Sequence, residues 1–372
     1  MNTQPTAPVR IGIIGVGNCA RALLEGVAYY SARPEDTAGL SHPDIAGYTP
    51  ADVAPVAAWD VDTDKVGYSL WDARERGQNL DVGIPQDLLK PVGQDVRVSR
   101  APALDGAGQK YRERITVAEG DHDLDQEAER IREEIRAAGV RVLVNYLPVG
   151  SQAATEWWAQ IALDTGCALV NNIPVFIARN EEWRARFRTA GLPLIGDDIK
   201  SQLGATYVHR VLARAFSDRG ITLDRTYQLN VGGNMDFYNM LEAERLATKR
   251  ESKSSAVTDA YAGELEPGNV HIGPSDFVPF LGDTKKAFIR CEGRGFAGAR
   301  IDMEMQLTVP DSPNSAGIVI DAVRIAQVAL DRNDPTADEW ASAWLFKAPP
   351  RPVAEDSDTE ARRRLDAWLN EV

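Results

Sequence analysis

Lysine is scarce in this chain, and that scarcity makes each one a candidate for chemistry. Of 41 basic residues only nine are lysines, and the other 32 are arginines. A lysine kept in such a chain has reason to perform a task that guanidinium cannot, because an ammonium can be tuned to exchange a proton. Codon bias with leftover surface lysines is the plain alternative. Lys249 and Lys253 are four apart, so on a helix they share a face, where like charges repel unless an anion sits between them. Arg245 and Arg250 nearby fit a solvated face as well. Lys285 stands in LGDTKKAF, just before a strand. Lys347 stands in WLFKAPP, an apolar stretch closed by prolines. Desolvation there would depress its pKa toward neutrality and make it a usable base. The four histidines show no ligand spacing, and no Ser-His-Asp or Cys-His set is present, so acid–base work falls to lysines and carboxylates.

Two turns could seat phosphate groups. Gly15-Val16-Gly17-Asn18-Cys19-Ala20 joins an apolar run to a helical pattern. Its glycines let the backbone approach a pyrophosphate that sits on the helix N-terminus. Asp60 closes the second strand, where an acid would bond the ribose hydroxyls and repel a 2′-phosphate, favouring NAD over NADP. It lies 45 residues after Gly15, beyond the usual ~20, with the excess taken up by a loop at 31–50. The second turn, Gly196-Asp197-Asp198-Ile199-Lys200-Ser201, lies between a strand and a helix. Ser201 there is first of all a helix N-cap, the usual role of a lone Ser at such a point, and the same helix start can also hold a phosphate. A third segment, NVGGNMDFYN, sets Asn234 and Asp236 beside paired glycines, either as a plain Asn/Gly turn or as a close approach to a ligand.

The elements that must position these residues are legible from periodicity. Strands 9–14, 53–59, 140–147, 167–171 and 192–195 alternate with helices near 18–30, 124–138, 151–165 and 180–190, which predicts a parallel, doubly wound sheet. After residue 200 the pattern changes. A helix over 201–219 leads into strands whose sides alternate; Ile301, Met303, Met305, Leu307 and Val309 face one way and Asp302, Glu304, Gln306 and Thr308 the other. One-faced strands belong to an antiparallel or mixed sheet packed on helices. Residues 203–309 therefore read as a second domain inserted into the first, which comprises 1–202 and 310–372. A helix is expected over 311–332, and the tail ends in a short amphipathic helix.

Composition narrows the classes. With 372 residues, 44% hydrophobic and 26% charged, the chain is an ordinary globular one. A net charge of −14 disfavours polyanionic partners, so neither nucleic acid nor an anionic membrane surface is expected. No apolar run approaches a membrane span. The polar N-terminus carries no secretory h-region. Three scattered cysteines (Cys19, Cys167, Cys291) fit neither a disulfide framework nor a zinc site, and point to a reducing cytoplasm.

Taken together, IGIIGVGNCA, VNYLPVGS, GDDIKSQLGATYVHR, QLNVGGNMDFYNML, SKSSAVT, VHIGPSD and DSPNSAGIVIDAVR resemble the inositol-3-phosphate synthase family in its shorter, actinobacterial-like form, from residue 9 to about 350. The resemblance implies a Rossmann-like α/β domain that binds NAD, with an inserted α+β domain for catalysis and tetramerisation. It implies conversion of D-glucose 6-phosphate to 1D-myo-inositol 3-phosphate. Carbon 5 is oxidised, carbon 6 loses a proton, the enolate attacks the carbon 1 aldehyde, and the ring ketone is reduced again. Carried over by motif, the catalytic residues are Lys249, Lys253, Lys285, Lys347, Asp198, Asp236 and Asp311. Within that set, Lys249 and Lys347 serve the carbon 5 oxygen and Lys253 the carbon 1 oxygen. The cofactor would meet Gly15, Gly17, Asn18, Cys19, Asp60, Pro148, Gly150, Asn172 and Asp198. The sugar phosphate would meet Lys200, Ser201, Gln202, Asn234, Lys253 and Lys285. Some prokaryotic members use a divalent cation, but no ligand set marks one here. Asn171-Asn172 stands where close bacterial members more often carry Asn-Ala, and 31–50, 256–268 and the tail match poorly. Three other functions compete: a paralogue forming another cyclitol phosphate, a net NAD-dependent dehydrogenase of homoserine-dehydrogenase-like architecture, and a non-catalytic NAD-binding regulator that would have no reason to keep the lysines.

Overall fold

The computed structural model describes residues 7–87, 89–118, 120, 123–242, 265–351 and 357–370. Among them, β1 (Val9–Ile14), β2 (Val53–Asp60), β3 (Val98–Arg100), β4 (Val142–Asn145), β5 (Ala168–Asn171) and β6 (Leu194–Gly196) form one parallel sheet, in the order β3-β2-β1-β4-β5-β6. This is the doubly wound order. Its winding reverses between β1 and β4, and the crevice outside the carboxyl ends of the strands opens there. The central strands are buried on both faces, Ile11, Ile13 and Val144 into one layer and Ile14, Leu143 and Leu169 into the other. That double burial is why they read as unbroken apolar runs.

Helix α1 (Asn18–Ala32) follows the glycine turn, and short helices α2 (Leu70–Ala73) and α3 (Gln109–Arg112) lie in the connections around β3. On the second face lie α4 (Leu124–Ala138), α5 (Gln152–Thr165) and α6 (Glu181–Thr189). Their limits have local causes. Asp123 accepts from the Asp125 and Gln126 amides at the start of α4, and Gly139 ends it at φ +60°.

Helix α7 (Ala205–Asp218), β7 (Thr222–Gly232), α8 (Met235–Asn239), β8 (Val270–Phe277), β9 (Thr284–Arg294) and β10 (Arg300–Pro310) build the second unit. Its sheet runs β10-β9-β7-β8; β9 is antiparallel to both neighbours and β8 parallel to β7. Phe216 of α7 packs with Leu223, Ala287, Ile289, Cys291 and Leu307 on one face. The chain then returns through α9 (Asp311–Arg332), which lies against β1, β4 and β5, followed by α10 (Ala337–Leu345) and the tail helix α11 (Ser357–Asn370). Leu365 and Trp368 anchor that tail in the core on the α1 side.

The helix expected from 201 starts at Ala205 instead, with Gly204 as its N-cap. Residues 201–204 are held by α9. The Gln202 amide donates to the Asn314 carbonyl at 2.8 Å, and the Leu203 amide to Asn314 Oδ1 at 3.0 Å.

Candidate functional site

One deep cavity runs along the carboxyl edge of the parallel sheet and continues under the second unit. At its β1 end, Gly15 has φ +88°, and a Cβ there would meet the Tyr146 carbonyl at 2.9 Å. A Cβ on Gly17 would meet no atom within 4 Å; it would point into the space that Gly17 lines. Gly17 caps α1 with no side chain, so the first amides of that helix remain available to an anion. Asp60 Oδ2 accepts from the Val16 amide at 2.7 Å, and Oδ1 from the Val61 and Asp62 amides at 2.7 and 2.9 Å. Lys65, buried, lies 3.9 Å from both Asp60 and Asp62 and lines the cavity. This cradle fits a dinucleotide: a turn that no side chain fills, a bare helix start, and a fixed carboxylate one strand away.

At the β6 end, Asp198 is buried at φ +58°. Its Oδ1 accepts from Lys347 Nζ at 2.7 Å, and the Lys347 amide donates to the Asp198 carbonyl at 2.7 Å. A short bridge between Ile199 and Phe346 therefore fixes one catalytic candidate upon the other. Across the cleft Lys285 Nζ donates to Asp311 Oδ1 at 3.2 Å, and Asn234 Nδ2 to Asp311 Oδ2 at 3.0 Å. Burial works against the Lys285 ammonium, but Asp311, Asp236 and Asp198 outweigh it and hold its pKa above the ordinary lysine value. Lys285 and Lys347 also reach a small side pocket with Ser201, Gly204, Ala205 and Thr206 at the start of α7. Two ammonium groups facing a helix N-terminus make an anion seat.

Asp283 joins the two halves. Its Oδ1 accepts from Asn18 Nδ2 (3.0 Å), Asn234 Nδ2 (3.0 Å) and Ser312 Oγ (2.8 Å), and Oδ2 from the Ser312 amide at 3.0 Å. Burial, aided by the neighbouring Asp311, pushes its carboxyl above the usual range. The same acids, after burial itself, keep the Cys19 thiol neutral, with its pKa raised to about 12.

The cavity thus gathers Gly15, Gly17, Asn18, Cys19, Asp60, Pro148, Asn172, Asp198, Ser201, Asn234, Asp236, Lys285, Asp311 and Lys347. Three expected residues are placed differently. Lys200 lines the side pocket and not the main cavity, and its Nζ donates to the Ala343 and Trp344 carbonyls at 2.8 and 3.2 Å and to Asp358 Oδ1 at 2.5 Å. Burial depresses its pKa to about 8, against the opposing pull of Asp358. Gln202 lines neither pocket; its Nε2 donates to the Gly39 carbonyl, tying down the 31–50 loop. Gly150 lies behind Pro148 and Val149, where its φ of +85° serves the turn into α5. Lys249 and Lys253 lie outside the described residues.

Sequence reasoning missed Asp283, Lys65 and Tyr146. Asp283 stands two residues before Lys285, and only that proximity marks it. Among the described residues no group of three or more His, Cys, Asp or Glu could hold a metal ion, so a divalent cation has no ligand set there. Nor is any described helix long and apolar enough to cross a membrane.

Comparison with known proteins shows what the chain is similar to. A family model described as myo-inositol-1-phosphate synthase matches residues 204–312. The chain is 49% identical over 373 residues to the inositol-3-phosphate synthase of Mycolicibacterium smegmatis, covering 99% of each. It is 48% identical over 374 residues to that of Corynebacterium glutamicum, again covering 99% of each. A crystal structure of a myo-inositol-1-phosphate synthase-related protein from Thermotoga maritima shares the fold, with a TM-score of 0.79 over 97% of this chain and 98% of that one, at 24% identity.

Proposed function

The chain belongs to the inositol-3-phosphate synthase family, and from that premise we propose how its residues divide the work of converting D-glucose 6-phosphate to 1D-myo-inositol 3-phosphate. NAD is the cofactor, and when bound it supplies the hydride acceptor and donor for carbon 5. Gly15, Gly17 and the open start of α1 hold its pyrophosphate, and Asp60 takes the adenosine ribose. The sugar phosphate enters the side pocket at the start of α7, where Ser201, the first amides of the helix and Lys285 meet it. Lys347 then faces the carbon 5 oxygen, held in place by Asp198. Each step of the reaction places negative charge on a sugar oxygen, and ammonium groups fixed beforehand stabilise it without reorganising. Lys249 serves carbon 5 with Lys347, and Lys253 serves the carbon 1 oxygen.

The observation that carries this reading is the pair of lysine–aspartate contacts facing one another in a single cleft. Lys347–Asp198 lies at 2.7 Å and Lys285–Asp311 at 3.2 Å, beside a glycine turn open to phosphate.

The enzyme works in the cytoplasm as a homotetramer. Its three cysteines are free, as in a reducing compartment. The face of the second sheet away from α7 carries Phe288, 38% exposed, and half-buried Tyr227, Leu229 and Val231 interleaved with Lys286, Arg290 and Glu304, a mixed surface on which another copy would find both apolar and charged contacts. Light scattering tests the assembly.

The test of the chemistry is redox balance. Glucose 6-phosphate deuterated at carbon 5 should give, by NMR, an inositol phosphate that keeps its deuterium. Only catalytic NAD should be needed, and no NADH absorbance should accumulate. Stoichiometric NADH release would mean an ordinary dehydrogenase.

A further inference from the structure

Asn172 follows β5 with both polar atoms of its side chain unpaired. The residue is 5% exposed, yet neither Nδ2 nor Oδ1 has a hydrogen-bond partner. Its backbone is fully engaged, the amide donating to the Asn145 carbonyl at 3.3 Å and the carbonyl accepting from the Ile199 amide at 3.0 Å. Asn171 next to it is the opposite case. There Nδ2 donates to Asp197 Oδ1 at 2.6 Å and to the Val175 carbonyl at 2.7 Å, and Oδ1 accepts from Asn145 Nδ2 at 2.9 Å. A buried amide left dry is costly, and folded proteins rarely keep one without a purpose. Asn171 belongs to the fold, whereas Asn172 lines the cavity with a donor and an acceptor to offer.

Its position selects the ligand. Along the carboxyl edge come Asp60 at β2, Gly15 at β1, Tyr146 at β4, Asn172 at β5 and Asp198 at β6. Neighbouring strands lie about 4.8 Å apart, so Asn172 sits roughly 10 Å beyond the phosphate turn and one strand short of the Asp198–Lys347 pair. A dinucleotide with its ribose at Asp60 and its pyrophosphate at Gly15 carries its second base over β4 and β5. A side-chain amide presents donor and acceptor side by side in one plane. Another carboxamide matches both with one coplanar group, in the reciprocal pairing of two primary amides.

We propose that Asn172 pairs with the carboxamide of the nicotinamide ring, Nδ2 donating to its oxygen and Oδ1 accepting from its NH2, and thereby fixes which ring face meets the sugar. This rests on the NAD reading given above. Asn172 is a positioning residue toward the cofactor and needs no part in proton transfer.

The test is a binding titration without substrate, followed by calorimetry. NAD is compared with 3-acetylpyridine adenine dinucleotide, which keeps the carbonyl oxygen and replaces the NH2 by methyl. The native chain should bind the analogue about tenfold more weakly, because Oδ1 loses its donor, and Asn172→Ala should bind the two within about twofold. Asn172→Ser carries the same comparison if the alanine variant does not fold. Equal discrimination by the native chain and the variant overturns the role of Asn172 and leaves NAD binding standing. Failure of the native chain to bind NAD overturns both.

Discussion

At the β2 end of the cleft, Asp60 gives its oxygens to three main-chain amides, with its nearest ammonium, Lys65, 3.9 Å away. At the β6 end, Asp198 gives Oδ1 directly to Lys347 at 2.7 Å, and across the cleft Asp311 takes Lys285 at 3.2 Å. The residue types are the same and the tasks differ. Amides of a turn are fixed dipoles, so the first arrangement immobilises an acceptor for recognition. Under the proposed function, the second holds two ammonium groups beside the place where anionic oxygens would develop, which would lower a barrier. Loss at the first end should therefore appear in binding and loss at the second in turnover.

The sharpest break of that contrast is at the lysines. Lys285→Ala and Lys347→Ala should each lower turnover by at least about 100-fold, the scale of one lost charge stabiliser. NAD affinity by fluorescence titration should change only a few-fold. Lys249→Ala and Lys253→Ala should fall in the same class. At the opposite end, Asp60→Ala should narrow the preference for NAD over NADP by about tenfold, through loss of like-charge repulsion, with turnover at saturating NAD nearly retained; competitive titration with both cofactors checks it.

Lys65 sharpens the comparison further. It stands in none of the motifs that carry the family resemblance, yet it is buried beside two carboxylates. Lys65→Ala should weaken NAD binding and lower folding stability by about 2 kcal/mol, the cost of leaving buried acids without their cation, as read by urea unfolding. Exposed Lys90→Ala should change neither.

The smallest effect concerns a third arrangement. His42 lies between Asp321 on α9, at 3.0 Å, and Asp366 on α11, at 2.9 Å. Burial opposes its charge, but the two acids outweigh burial and raise its pKa. A raised folded-state pKa means that the stability is present in full below about 6.5, the ordinary histidine value, and is lost as pH rises through the raised one. The native Tm should fall over that window, and His42→Gln should flatten the slope.

How much of this was open to reading follows from which contacts are local. Helix 311–332 and helix 124–138 are set by periodicity and end signals within their own residues, and they appear where expected. The start of α7 is set by Asn314, more than a hundred residues away, and no local signal marks it. Motifs name Lys285, Asp311, Asp198 and Lys347 as candidates. That they pair two and two is a long-range fact; Lys347 and Asp198 are 149 residues apart. Lys200 shows the limit most clearly. Its motif points to the substrate and it does line the side pocket, yet the carbonyls ending α10 and Asp358 of the tail, none of them near it in sequence, take its ammonium. Asp283 is invisible for the same reason, since its partners Asn18, Asn234 and Ser312 come from three separate stretches of chain.

The place of α9 in the chain has a consequence for synthesis. All six strands of the parallel sheet are complete by Gly196, yet the helix that lies against β1, β4 and β5 begins 115 residues later, at Asp311. At roughly 5–20 residues per second of translation, that delay is on the order of 6–23 s. Through that interval the nascent sheet presents Ile11, Ile13, Val144 and Val170 without the buried side of α9 that later packs with them. The second unit emerges in the meantime. A ribosome that slows within residues 203–310 prolongs the exposure, so synonymous codon choice in that stretch bears on the yield of folded protein although it alters no residue of the site.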